Sequence, residues 1–321
     1  MKILGMGNAL VDVLVRINDD KLLYDMQLPK GSMQLIDEQK LKTISNEINK
    51  LNKIIVSGGS AANTIVGLSR LGIDTGFIGR IGKDNFGEYY KNDLAKNNVK
   101  SHLTEVDEVS GIASTFISHD GQRTFGTYLG AAALLNANDL NESDFADYSY
   151  FYIEGYLVQS HDLIERAIVL AKQSGAKIIL DLASYNVVEE NKEFLNRIIP
   201  QYVDIIFANE EEASSFFGLS AEEVVSILAR DTDIAIVKTG SKGSWVQQGD
   251  NKIFVPALTV DCVDTTGAGD LYAAGFIFGL IKNRSLKECG EMGTLLAANV
   301  IQAVGAKIED NKWNEIVNAI C

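Results

Sequence analysis

Proline is nearly missing, with three in 321 residues, so the chain has no Pro-rich linker and no obvious hinge between domains. Cysteine is as scarce. Cys262, Cys289 and Cys321 lack metal-ligand spacing and are too few for a disulfide framework, which suits a reducing compartment; they read as packing residues and a tail. The three histidines, His102, His119 and His161, are scattered without zinc or triad spacing and read as surface or loop residues. Positive charge is the minority sign: 29 Lys and Arg face 43 Asp and Glu, a net charge of −14 that argues against nucleic acid or an anionic membrane as partner. Long apolar runs are also lacking. Ala273–Ile281, among the longest, stays well short of the roughly 18 to 20 residues that span a bilayer. The first apolar run meets Asn8 and Asp12 too early for a signal peptide, so the expected location is the cytoplasm. Two nucleotide motifs fail as well. Gly5-x-Gly7 reaches Leu10 where a dinucleotide fingerprint needs its third glycine, and Gly82-Lys83 is followed by Asp84 instead of Ser or Thr, so it is no P-loop.

What is present is 46% hydrophobic residues, enough for a large core as one big or two unequal domains, with no internal repeat or low-complexity tract. Residues 1 to 130 carry β-branched runs at Ile54–Val56, Thr75–Ile78 and Ser114–Ile117. From about residue 150, short apolar strands at Tyr150–Ile153, Lys177–Leu180, Asp204–Phe207 and Ile234–Val237 alternate with amphipathic stretches at 161–174, 187–198 and 209–230. That alternation predicts βαβ units around a buried, mainly parallel sheet flanked by helices. Two helices are expected near 268–281 and 285–303. Segments near 13–35 and 102–128 predict a small accessory β-sheet acting as a lid.

Ligands of open α/β sheets bind beyond the carboxyl ends of the strands, which singles out Asn8 to Asp12, Ser57 to Asn63, Glu154, Gly155, Asp181, Asn209 to Glu212 and Thr239 to Gly243. The densest chemistry lies in Asp264-Thr265-Thr266-Gly267-Ala268-Gly269-Asp270. Small residues ahead of an apolar helix leave backbone N–H groups unpaired at the positive end of the helix dipole, a cradle for an anion. Asp270 is placed to accept a proton from an attacking hydroxyl, or equally to favour its own helix N-terminus.

This segment, with its continuation Leu271–Phe276, resembles the C-terminal signature of the ribokinase-like (PfkB) carbohydrate and nucleoside kinases. Ser57-Gly58-Gly59-Ser60-Ala61-Ala62-Asn63, followed by Leu71-Gly72 and Gly79–Gly87, is similar to that family's N-terminal glycine-rich region. The likeness runs through essentially the whole chain in order. It implies a ribokinase-like α/β fold over 1–321 with a β lid, and ATP-dependent transfer of a phosphoryl group with Mg²⁺. It further implies Asp270 as the base, with Gly267, Ala268 and Gly269 as the anion hole. Asn209 and Glu212 match the family's Asn-x-x-Glu element, which positions Mg²⁺ and its waters; the residues alone would read as a helix cap. Thr239, Gly240 and Gly243 match a turn along the nucleotide; alone they read as a hairpin turn. Asp12, Gly59 and Asn63 match positions that hold the acceptor's sugar hydroxyls, where a carboxylate can accept two hydrogen bonds from a vicinal diol. A monovalent cation such as K⁺ is implied too, through backbone carbonyls that are not assigned. The net negative charge makes local cations necessary for a nucleotide.

The tract Arg123-Thr124-Phe125-Gly126-Thr127-Tyr128 is more similar to adenosine kinases than to sugar kinases of the family. By that likeness Arg123 contacts the transferred phosphoryl, the other reading being a surface arginine. Phe116, Phe125 and Tyr128 are the candidates to stack on a base, unless they are lid core. The expected function is therefore transfer to the 5′ hydroxyl of a purine nucleoside, adenosine first, with a fructose or ribose kinase as the alternative. A non-catalytic nucleoside or sugar sensor is the alternative of another class; the intact Asp270 argues against it. A homodimer through the lid is a further expectation, with no register to fix it.

Overall fold

The computed structural model describes residues 1–120 and 122–320; Cys321 lies outside the described residues. Fourteen strands are seen among them: β1 (Lys2–Met6), β2 (Leu10–Arg16), β3 (Met33–Leu35), β4 (Lys53–Gly58), β5 (Asp74–Gly82), β6 (Val99–Val106), β7 (Gly111–Ile117), β8 (Arg123–Tyr128), β9 (Tyr150–Glu154), β10 (Lys177–Asp181), β11 (Ile205–Asn209), β12 (Ile234–Lys238), β13 (Gly243–Gln248) and β14 (Asn251–Pro256). Nine form the main sheet in the order β14-β13-β12-β11-β10-β9-β1-β5-β6. It is parallel from β12 to β6, and β13 and β14 extend it as antiparallel strands.

The apolar runs of the second half become strands because both faces of this sheet are covered. Along β11, Ile205 and Phe207 enter one core while Ile206 and Ala208 enter the other. Helices Ser60–Arg70, Ala268–Ile281 and Leu286–Val300 contribute to the first core, and His161–Gln173, Lys192–Tyr202 and Ala221–Asp231 to the second. The stretch 209–230 is two helices, not one. Gly218 takes a left-handed conformation that closes Glu210–Phe217, and Ser220 caps the next helix.

A second sheet runs β3-β8-β7-β2-β4. One face packs Val13, Val15 and Phe116 against Leu41, Ile44 and Ile48 of helix Glu38–Ile48. The boundaries differ from expectation in two places. Residues 102–106 belong to β6, because helix Asn85–Lys96 carries the chain back beside β5 as a βαβ crossover. Ile54–Val56 lies in β4, paired with β2, and so joins this sheet.

The scarce residues also need correction. Cys289 is buried, but Cys262 is exposed and packs nothing. His102 sits in β6, with Nδ1 2.9 Å from Asp144 Oδ1 and Nε2 3.2 Å from the Tyr148 hydroxyl, so it is neither a surface nor a loop residue. Among the described residues no helix is long and apolar enough to cross a membrane.

Candidate active site

Five neighbouring strands of the main sheet, β12, β11, β10, β9 and β1, end on one cleft of about 760 Å³. Their last or following residues, Lys238, Asn209, Asp181, Glu154 and Asn8, all line it. The period of two along each strand selects four of them. Glu154, Asp181, Asn209 and Lys238 each stand two residues beyond Tyr152, Ile179, Phe207 and Ile236, which all belong to the core that holds helix Ala268–Ile281. The polar groups therefore emerge on the face where that helix begins.

Glu154 is an organiser of the site. It is 2% exposed, and burial pushes its carboxyl up to about 7 against the hydrogen bonds it accepts. Oε1 accepts from Asn8 Nδ2 at 2.8 Å, and Oε2 from the Ala61 backbone N–H at 3.0 Å. The bond to Ala61 fixes the start of helix Ser60–Arg70. Gly59 precedes that helix at φ 94°, and a Cβ there would lie 2.2 Å from the Asn8 carbonyl oxygen, so only glycine lets the chain pass.

The helix start thus held delivers two donors to Asp270. Ser60 Oγ donates to Oδ1 at 2.7 Å and Asn63 Nδ2 to Oδ2 at 2.8 Å. Burial raises the Asp270 carboxyl to about 6, while these two bonds oppose the rise. Asp270 stands in the first turn of helix Ala268–Ile281, ten of whose fourteen residues are buried, a rigid mount for one side chain. Gly267 opens the helix at φ 76°, with Ala306 packed where its Cβ would be. Of the three residues expected to form the anion hole, Ala268 already donates its N–H to Thr265 O at 3.1 Å. Gly269 and Asp270 follow as second and third helical residues, whose N–H groups have no partner inside a helix.

Arg123 is not a surface residue. Its side chain is 10% exposed, Nη1 donates to Thr266 Oγ1 at 3.0 Å, and Nη2 pairs with Asp264 Oδ2 at 2.5 Å. Asp264 also accepts from Thr266 N at 3.1 Å and from Gly305 N at 2.6 Å, so one carboxylate ties the turn, Arg123 and the 301–305 segment together. Asp12 lies in β2 on the cleft, and burial pushes it up to about 7 against the opposing charges of Arg123 and Lys307.

Asn209 and Glu212 form a closed capping box. Glu212 accepts from Asn209 N at 2.8 Å and from Asn209 Nδ2 at 2.6 Å, and Asn209 Oδ1 accepts from Glu212 N at 2.8 Å. Burial raises the Glu212 carboxyl to about 7. Among the described residues no three His, Cys, Asp or Glu side chains cluster as a metal cage. Oxygen groups already bonded in this way fit a Mg²⁺ that keeps its waters and is carried mainly by phosphates. Thr239, Gly240 and Gly243 do not line the cleft. They form the tight turn after Lys238 that joins β12 to β13, with Thr239 Oγ1 donating to Gly243 O at 2.9 Å.

The aromatic candidates separate by strand parity. Phe125 lines the cleft, whereas Phe116 is fully buried in the second sheet's core and Tyr128 packs against that core, bonding Glu108 at 2.9 Å. Ser60 and Lys238 were not assigned by sequence. Ser60 belongs to the glycine-rich segment Ser57–Asn63, and Lys238 closes an apolar strand where only parity points it into the site.

A parallel sheet whose strand ends face a glycine turn, a helix N-terminus and a held carboxylate is suited to holding a phosphate beside a base. The model described as pfkB family carbohydrate kinase matches residues 34–313, and the chain belongs to that family. Adenosine kinase 2 of Arabidopsis thaliana is 27% identical over 328 residues, covering 94% of this chain and 94% of its own. The crystal structure of adenosine kinase from Sinorhizobium meliloti superposes with a TM-score of 0.88 at 32% identity, covering 99% of each chain. That of a probable sugar kinase from Rhizobium etli CFN 42 also gives 0.88 at 32% identity, covering 99% of this chain and 98% of its own. The ribokinase-like fold is as expected, and the chain is a kinase of sugars or nucleosides, a class that uses ATP.

Proposed function

We propose that the protein transfers the γ-phosphoryl group of ATP to the 5′ hydroxyl of a purine nucleoside, adenosine first. The observation that carries this is the mixed lining of the cleft. Asp12, Gly59 and Asn63 line it together with Asp270, and Leu10, Leu35, Phe125, Leu129 and Tyr156 add an apolar and aromatic wall. A ribose suits the polar groups and a flat base the apolar ones. A free hexose carries hydroxyls on every side, and setting them against that wall would leave them without partners.

In the reaction the acceptor oxygen bonds to the γ phosphorus as the bond to the ADP oxygen breaks, and ADP leaves with that electron pair. Asp270 takes the hydroxyl proton, which passes to solvent after product release. Ser60 and Asn63 keep its carboxylate aimed. Gly269 and the helix N-terminus receive the phosphoryl oxygens, Arg123 adds a cation at Thr266, and the second sheet covers the acceptor to exclude water. Asn209 and Glu212 would hold Mg²⁺ through its waters, and the ion would supply positive charge against the phosphates.

The pH dependence carries a sign. Only ionised Asp270 accepts a proton, and its carboxyl is raised to about 6. The rate is therefore full above that value and lost as pH falls through it; kcat/KM for the acceptor should show an acidic limb near pH 6. A limb near the usual 3.8 of a free carboxyl contradicts the assignment.

Phe125→Ala should lower kcat/KM for adenosine by roughly 10- to 100-fold, the cost of removing one buried aromatic contact, and leave ribose turnover unchanged. ADP release measured with adenosine, inosine, guanosine, ribose and fructose side by side tests the acceptor. Nucleoside rates well above sugar rates support the reading; sugar rates equal to or above them overturn it. Acceptor binding without ADP release identifies a sensor.

A further inference from the structure

Lys238 ends β12 partly buried, with its ammonium in the site. Nζ lies 3.1 Å and 3.3 Å from the two carboxylate oxygens of Asp181, and 5.8 Å from the centre of the Phe207 ring. On its other side Nζ is 3.3 Å from the point a Cβ on Gly269 would occupy. The ammonium therefore fills the space that a glycine leaves in the first turn of helix Ala268–Ile281. An ammonium has three donors, and the one carboxylate of Asp181 does not exhaust them.

We propose that Lys238 is a catalytic residue of phosphoryl transfer, donating from a remaining N–H to an oxygen of the transferred phosphoryl beside Gly269, with Asp181 as its positioning residue. The cleft is lined by six carboxylates, Asp12, Glu154, Asp181, Glu190, Glu212 and Asp270, so a polyphosphate entering it needs a cation at the point of transfer. Arg123 is already bound to Asp264 and Thr266. Lys238 is held by a single side chain. Burial lowers its pKa, but Asp181 and Glu212 outweigh burial and keep it charged. Asp181 in turn accepts from the Tyr152 hydroxyl at 3.1 Å. Thr64 Oγ1 lies 3.4 Å from that hydroxyl and 3.1 Å from the Asp270 carbonyl oxygen. One chain of contacts therefore fixes the cation relative to the base.

The inference rests on phosphoryl transfer at this turn and not on a purine acceptor, so it is tested with whichever acceptor of the panel turns over. Failure of the adenosine reading leaves it standing. K238M, K238A and K238Q, which keeps a polar donor without the charge, are compared by kcat, by KM for acceptor and ATP, and by thermal midpoint. The expected result is a kcat lowered about 10²- to 10³-fold in each folded variant, with acceptor KM little changed. Added methylamine should restore part of the K238A rate in a saturable manner. Wild-type kcat in folded K238Q or K238M overturns the proposal. So does a K238A defect that amine leaves untouched, since a purely structural ion pair would behave in that way.

Discussion

Asp270→Asn should lower kcat about 10²- to 10⁴-fold, the usual contribution of a positioned general base. The side chain keeps its shape and its place in the first turn of helix Ala268–Ile281, so the loss reads the proton-accepting function and not the mount. The amide can keep its oxygen toward Asn63 while its NH₂ donates to the Ser60 hydroxyl, which exchanges a charge-assisted bond for a weaker neutral one. Against that, removing a charge that burial already disfavours relieves a desolvation cost. The two oppose each other, and the thermal midpoint should stay near that of the wild type. The acceptor KM should move only a few-fold, as Asp12 and Gly59 remain. Steady-state rates with a melting curve on the same preparation separate the cases. An unchanged kcat would sink the assignment, and a fall in kcat matched by unfolding would leave Asp270 as a helix-start residue.

Gly59→Ala should damage stability and rate together. At φ 94° an L side chain is strained, which costs about 1–3 kcal/mol. Its Cβ would also meet the Asn8 carbonyl oxygen, a backbone atom that cannot swing away, at 2.2 Å. Overpacking of that kind adds about 1–3 kcal/mol. The chain escapes the clash only by shifting the start of helix Ser60–Arg70, and Ser60 and Asn63 move with it. A kcat loss should therefore accompany the fall in denaturation midpoint, because Asp270 loses its aim. Chemical denaturation and turnover of the variant check this; wild-type values for both would show that the contact at Asn8 yields without consequence.

The main sheet was legible because parallel strands buried on both faces must be written as short apolar runs, as at Lys177–Leu180 and Ile234–Val237. The turn at Asp264–Asp270 was legible as an anion cradle from its glycines ahead of an apolar helix, while the role of Asp270 came from the resemblance of the segment to the family signature. Side-chain direction was harder. Phe116, Phe125 and Tyr128 are equivalent as letters, and only the register of β7 against β8 places one at the cleft and two toward the core. Lys238 escaped notice because it closes an apolar strand; counting by twos from Ile236 would have put it beside Asp181 and Asn209. The pairing of Arg123 with Asp264 joins distant segments and leaves no local trace. Asn209 and Glu212 form the helix cap that the letters alone suggest, and both also line the cleft.

The central claim is transfer to a purine nucleoside with Asp270 as base, and one competition measurement meets it directly. The protein is given Mg-ATP with adenosine, ribose and fructose together at equal concentration, and the phosphorus NMR spectrum of the mixture is followed. The account predicts one new phosphomonoester, adenosine 5′-phosphate, growing in step with ADP, and no such growth with Asp270→Asn. A sugar phosphate as the main product, or equal growth with the variant, would contradict it.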